Sequence, residues 1–502
     1  MNTHFLDIFK FNFGAQFASK ILTFLINSYF IRHVSINLLG LVNVRMTLLY
    51  TTIAFLVREP FRKTCLGSDL SPRQAVNFSI LIYPVSLLYT CIFSTIWYFL
   101  DCPEPQYETA YLKLIMAFGS SAFIELLVEP LAIFALKTGH NGYFSFASSV
   151  LMFLQRSIAF VLIVVFNFDH IDAFCASQIA GSIVYAILYV YKFWSLSSES
   201  SQPDSTCGER EIKLLLSLTA HAFLKQALTD GAGYIMVFTD VFSLKMQGVY
   251  DIIERLGSLV TRLVLAPLEE SAFIYFSSNL NRTGSNVKHS NKTWKKVTDT
   301  YFNVLKVVIM LGLVLLVFGI PYSSLAVRIY GGSVLVENNG HQMLDLYLLY
   351  LLVMAINGIT ECFAFATMGS REIFHHGSFL LVSSIVHFTL NVVLSRYIGV
   401  FGFIVANIVN SVLRIVYNGR YILKLSQTKF PVSFIFPSIG LTVIFLMDIV
   451  VLAIASIIFG SEATDLVHIG AHVAIGGVFF LGTMRYMYYN EQLFSPLLKK
   501  EE

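Results

Sequence analysis

Charged side chains are scarce in this chain: Asp, Glu, Lys and Arg make up 13% of its 502 residues, against about a quarter in ordinary soluble domains. That scarcity excludes a disordered or charge-laced soluble chain. A net charge of +3 builds no basic surface, so no nucleic-acid partner is expected. Cysteine is sparse as well. Cys65, Cys91, Cys102, Cys175, Cys207 and Cys362 form no C-x-x-C pair and no Cys/His ligand spacing, which excludes a disulfide framework, zinc and a redox motif. No glycine-rich phosphate loop argues for ATP use. A membrane glycosyltransferase would want acidic catalytic residues on a substantial early loop, and the first such loop is only a few residues long. No enzyme activity, cofactor or metal is expected.

What the chain has is apolar surface. It is 56% hydrophobic with a mean hydropathy of +0.69, and Phe (45) and Tyr (25) are heavily used, as lipid and interfacial packing favour. A soluble domain cannot hide this much, so the chain is read as an all-α polytopic membrane protein. Apolar stretches of about 20 residues number roughly fourteen, centred near residues 23, 47, 87, 122, 155, 183, 226, 262, 312, 356, 387, 413, 446 and 476, the seventh and eighth being the most polar. The run FNFGAQFASKILTFLINSYFI is too long for a signal peptide and lacks an A-x-A site, so the first span is expected to stay in the membrane. With the N-terminus in the cytosol, about 20 Lys and Arg fall on the cytosolic side and about 5 on the other, which places both termini there. The sequons at Asn77, Asn281 and Asn291 then map to the cytosolic face or its edge and are expected to carry no glycan. The final KKEE (Lys499, Lys500) is similar to a di-lysine address for the endoplasmic reticulum.

The polar segment SLSSESSQPDSTCGERE separates six spans from eight, and a repeat crosses it. GLVNV at 40–44 is similar to GVYDI at 248–252, KILT at 20–23 to KQALT at 225–229, and Pro60 to Pro267, at offsets of 208, 205 and 207. An offset of six spans preserves orientation, so the pattern predicts two parallel six-helix lobes facing a central cleft. The expected organisation is an N-terminal lobe (1–195), a cytosolic linker (196–211), a C-terminal lobe (212–425), two accessory helices (426–490) and a cytosolic tail (491–502).

At this point the residues reach a family. LGLVNVRMTLLYTTIAFLVREPFRKTCL, FLKQALTDG, QGVYDIIERLGSLVTRLVLAPLEES, IYGG, AINGITECFAFATM and GFIVANIVNSVLRI closely resemble the eukaryotic family named for translocating the dolichol-linked oligosaccharide across the endoplasmic reticulum membrane. That family belongs to the multidrug/oligosaccharidyl-lipid/polysaccharide exporter superfamily. The resemblance runs from about residue 15 to 425; one departure is Gly233, where the family pattern leads to an arginine. It implies a dolichyl-pyrophosphate oligosaccharide partner with five mannoses and two N-acetylglucosamines, moved from the cytosolic to the lumenal leaflet in N-glycosylation. The physics agrees: unpaired polar groups cost several kcal/mol each in hydrocarbon, and charges far more. Two alternatives stand beside this reading, an accessory protein that binds the glycolipid without flipping it and an ion-coupled small-molecule antiporter using a lone carboxylate such as Glu125 or Glu129. The oligomeric state is left open.

Polar stripes on apolar spans face protein or water, because lipid cannot satisfy them. Helix eight carries Asp251, Arg255, Ser258, Arg262 and Glu269 along one face. Helix twelve carries Asn407, Asn410, Arg414 and Asn418, helix eleven Ser384, His387 and Asn391, and helix two Asn43, Thr47, Tyr50 and Arg58. Hydrogen bonding between helices within a lobe is the plain alternative to cleft lining. Arginine suits pyrophosphate because its planar fork donates two charge-assisted hydrogen bonds. The candidate substrate-binding residues are therefore Arg58, Arg62, Arg262, Arg414, Arg255, Lys225 and Arg32, with Lys20 the repeat mate of Lys225. Glu269 and Glu270 are candidate gate residues that pair with Arg58 or Arg62. Glu129, with Glu125, is the remaining gate or ion-pair candidate, Arg156 being the plain partner. No catalytic or metal-binding residue is expected.

Overall fold

The computed structural model describes residues 26–67, 70–100, 104–198, 209–239, 242–280, 291–426, 435–460 and 466–491. Lys20, Cys102, Cys207, Asn281, most of the 196–211 linker, and Lys499 and Lys500 lie outside them. Every regular element is helical and no strand forms among the described residues, as hydrocarbon demands of a spanning backbone. Eleven helices are long and apolar enough to cross a membrane. The other three expected centres explain the difference from fourteen. The one near 23 lies partly outside the described residues. Those near 226 and 262 fall on helices that are polar and interrupted.

Two compact units divide the chain, Thr23–Asp251 and Ile252–Glu502. The first begins with α1 (26–33) and α2 (Ile36–Gly67), the most enclosed span, with 72% of its apolar window buried. The Ser35 hydroxyl caps α2 by accepting from the Leu38 amide. A π-helical stretch follows at Leu41–Met46. Pro60 lies inside the helix and denies the Leu56 carbonyl its amide. One turn on, the Thr64 hydroxyl donates to the Pro60 carbonyl at 2.9 Å. Then come α3 (Pro72–Phe99), started by a Ser71–Gln74 capping box with proline at its first position, α4 (Glu108–Leu127) and α5 (Glu129–Lys137). Pro130 opens α5; its ring and missing amide forbid a continuous helix through Val128. The break leaves Glu125 and Glu129 on either side of a bend.

The first unit continues with α6 (Asn141–Val164), α7 (His170–Ser198), α8 (Glu209–Thr229) and α9 (Gly231–Phe238), and ends within α10 (Leu244–Val260). One crossing is backbone on backbone. A Cβ on Gly40 would stand 2.1 Å from the Leu244 carbonyl oxygen, and a Cβ on Gly248 would stand 2.4 Å from that of Ile36. Both pairs, 40 with 248 and 36 with 244, are separated by the 208-residue offset of the sequence repeat. The repeat-related helices thus meet at equivalent glycines, where only hydrogen fits.

In the second unit a π-helical stretch at Thr261–Leu265 precedes α11 (Ala266–Asn279). Next come α12 (Asn291–Gly331), α13 (Ser333–Glu337), α14 (Gly340–Thr367), α15 (Ser370–Ile398), α16 (Phe401–Ser426), α17 (Ile439–Ala455) and α18 (Leu466–Asn490). Its core is aromatic: the Phe363 ring packs edge-on to Phe276 at 5.2 Å and against Tyr301 at 4.4 Å between centroids. The outer helices carry exposed Leu446, Val450, Ile457 and Leu481, the surface a lipid environment covers.

Candidate functional site

The structure gathers the strongest charges of the Thr23–Asp251 unit into one buried knot. The Arg58 fork divides between two carboxylates, Nη2 donating to Glu125 at 2.8 Å and Nε to Glu129 at 3.1 Å. Arg62 donates to Glu129 through Nε, and through Nη2 at 3.0 Å, while its guanidinium lies 4.9 Å over the Phe144 ring. Both glutamate side chains are fully buried, and the arginines keep about a fifth and a quarter of their surface exposed. Glu125 is further held by the Tyr50 hydroxyl at 2.6 Å and the Ser182 hydroxyl at 2.8 Å. Ser121 and Gln178 extend the chain of hydrogen bonds along α4 and α7. Two cations facing two anions make the knot neutral, which is what allows it below the surface. The partners of Arg58 and Arg62 are therefore Glu125 and Glu129, where the sequence suggested Glu269 or Glu270. Arg156, weighed as the partner of those glutamates, donates to Asn43 at 3.3 Å.

Lys225 is exposed on α8 and binds Glu59 at 2.8 Å, with Lys63 at 2.9 Å on the same carboxylate. Arg32 is exposed at the end of α1. Sequence reasoning passed over Arg45. It is 6% exposed and donates to the Val237 carbonyl at 3.1 Å, near the C-terminus of α9, with the Tyr111 ring 5.9 Å away. A lone arginine inside an apolar helix was signal enough.

In the Ile252–Glu502 unit Arg414 on α16 faces Glu361 on α14 at 3.8 Å, and Asn357 donates to the same carboxylate at 3.3 Å. The Nε of Arg414 is buried with no hydrogen-bond partner among the described residues. One turn away, Glu269 lies against Gly358; a Cβ there would overlap its carboxylate oxygen at 1.8 Å. Arg414 and Glu269 thus converge on a single turn of α14. Arg255 is half-buried, and Arg262 and Glu270 are exposed. The asparagine stripe of α16 meets α15 through His387–Asn407 at 2.8 Å and Ser383–Asn410 at 2.6 Å. Ser383 holds the position read from sequence for Ser384. This seam is helix-to-helix bonding within the unit. Among the described residues no group of His, Cys, Asp or Glu is placed to hold a metal ion.

The class follows first. The fold matches that of a structure titled "Lipid II flippase MurJ, inward closed conformation", at 14% identity over 96% of this chain and 99% of that one, with a TM-score of 0.62. It also matches an inward-facing multidrug resistance MATE family transporter of the MOP superfamily, at 12% identity, 82% and 96% coverage and a TM-score of 0.59. The chain shares the polytopic helical fold of these two structures.

The profile described as "Rft-1: Rft protein" matches residues 6–500, and the chain belongs to that family. Its relatives include the Man(5)GlcNAc(2)-PP-dolichol translocation protein RFT1 of Caenorhabditis elegans, 35% identical and covering 97% of both chains. That of Xenopus tropicalis is 32% identical over 93% and 91%. That of Mus musculus is 32% identical over 80% and 78%.

Proposed function

We propose that this protein moves a dolichyl-pyrophosphate-linked oligosaccharide of five mannoses and two N-acetylglucosamines from the cytosolic to the lumenal leaflet of the endoplasmic reticulum membrane. The observation that carries this is the near full-length relation to proteins named for translocating that glycolipid. It acts as a carrier and makes or breaks no covalent bond. Its working parts are two repeat-related lobes, 1–195 and 212–425, joined by the polar linker, with accessory helices at 426–490. Both termini lie in the cytosol, and the final KKEE serves as the retrieval address.

Arg414, Arg262 and Arg255 receive the pyrophosphate, with Lys225 and Arg32 as outlying cations. Arg58 and Arg62 contribute their residual exposure at the mouth while Glu129 holds them in place. Glu269 and Glu270 act as gate residues. The state of Glu125 counts against an ion-coupled antiporter: a coupling carboxylate must release its partners to take an ion, and this one accepts from Arg58, Tyr50 and Ser182 at once.

The test is transfer in vesicles. Purified protein is reconstituted with the glycolipid in both leaflets, and an external glycan-trimming enzyme measures what reaches the outer face. The expected result is trimming of nearly all the glycolipid, against about half in protein-free vesicles. No excess over protein-free vesicles overturns the proposal, and saturable binding without transfer leaves the protein an accessory binder.

A further inference from the structure

Inside the Thr23–Asp251 unit, next to the charge knot through Tyr50, lies a partly open polar pocket that none of the roles above uses. Its polar lining is Thr47 and Tyr50 from α2, Gln155 and Arg156 from α6, and Ser177 and Gln178 from α7; Val42 and the rings of Phe118 and Phe174 complete it. We infer that this cavity is a subsite for one neutral sugar ring of the transported glycolipid, an inference that rests on the proposed function.

Each hydroxyl in the lining has already committed its single proton inside the protein. Thr47 donates to the Val42 carbonyl at 2.9 Å, Ser177 to that of Phe174 at 3.0 Å, and Tyr50 to Glu125 at 2.6 Å. What these three oxygens offer a ligand is lone pairs. Donors come from the other wall. The amide nitrogen of Gln155 is buried with no hydrogen-bond partner among the described residues, and beside it stands the Arg156 guanidinium, which reaches Asn43. A phosphate oxygen only accepts, so it could meet the Gln155 and Arg156 donors but would leave the three hydroxyl oxygens unmatched. A sugar hydroxyl donates to one wall and accepts from the other. Flat amide and guanidinium groups with phenyl rings alongside are the chemistry that holds a ring polar at its rim and apolar on its faces.

The lining is also built. A Cβ on Gly181 would stand 2.5 Å from Cγ of Gln155, so the glycine on α7 leaves the space in which the glutamine lies. An unpaired buried amide costs stability; a site that fills with hydroxyls explains its retention.

The experiment uses the full-length protein in lipid nanodiscs and two probes, the dolichyl-pyrophosphate heptasaccharide and dolichyl pyrophosphate without sugar. Gln155→Leu keeps the approximate volume and removes the donors. It is expected to weaken binding of the glycolipid about tenfold, the effect of one or two lost hydrogen bonds, and to leave dolichyl pyrophosphate unchanged. A second arm covers the case in which Gln155→Leu fails to fold. In Ser177→Cys, labelling by a small thiol reagent above the wild-type background should be blocked by the glycolipid and not by the sugar-free lipid. Equal weakening of both probes, no weakening of either, equal protection by both, or protection by neither overturns the subsite, no weakening and no protection being the behaviour of a cavity that holds only water. If the wild type binds neither probe, the proposed function itself fails; if it binds the glycolipid and Gln155→Leu matches it, only the subsite fails.

Discussion

Replacing Glu129 with glutamine keeps its shape and removes one charge from the knot on α2, α4 and α5. The carboxylate accepts from Arg58 Nε and from Nε and Nη2 of Arg62, and it is fully buried. After substitution two guanidinium groups share the single negative charge of Glu125, and the amide NH₂ points a donor at donors. Breaking a fully buried pair costs about 3–5 kcal/mol. Here the arginine side chains are 20% and 25% exposed, so water takes up part of the orphaned charge and about 2–3 kcal/mol is the expected loss. The assay is unfolding of the purified protein in detergent, followed by helical circular dichroism or by thermal precipitation. A second variant isolates the cause: Arg62→Met in the Glu129→Gln background removes the surplus cation and should recover about 1 kcal/mol or more. Glu129→Gln with wild-type stability, or an Arg62→Met effect that is merely additive, refutes the claim that Glu129 is the counter-charge of this knot.

Arg414→Ala and Arg262→Ala, matched to wild type for expression and location, should each lower complementation of N-glycosylation about ten- to a hundred-fold at limiting expression; full activity in both would sink the cleft assignment. Past the end of the last span, burial alone would raise the Glu491 carboxyl, but Lys306 and the Ser438 amide hold it below the ordinary carboxylate range. A depressed acid stabilises the folded state above its unfolded pKa of about 4.3 and loses that contribution as pH falls through the lower folded value. Melting from pH 7 down to 3 should therefore show an acid-side loss that Glu491→Gln removes, and identical pH profiles would refute it. Gly248→Leu should abolish assembly of properly folded protein, because its Cβ would meet the Ile36 carbonyl at 2.4 Å; wild-type yield and melting temperature would show that the crossing is loose. Lys499→Ser with Lys500→Ser should release part of the protein to later compartments, and unchanged residence would mean that KKEE is not the operative address.

The sequence by itself determined that this is a helical membrane protein. Hydrophobic runs about 20 residues long admit little else in lipid, and most of the expected spans lie where apolar helices form. It also set the family, and Gly40 and Gly248, which the offset of 208 relates, lie against each other where α2 crosses α10. The effects of Pro60 and Pro130 are local, because a missing amide acts on the preceding turn of its own helix.

Tertiary structure decided the partners. A stripe such as Asn43, Thr47, Tyr50 and Arg58 shows that one helical face is polar, but spacing along one helix carries no information about which helix packs against it. Whether that face meets substrate, water or a neighbouring carboxylate depends on residues far away in the chain. So Arg58 found Glu125 and Glu129, Arg156 found Asn43, and Ser383 took the place read for Ser384. The cavity between α2, α4, α6 and α7 has no sequence signature, since empty space is made by four helices at once, and only their packing shows which hydroxyls already donate their hydrogen bond within the protein.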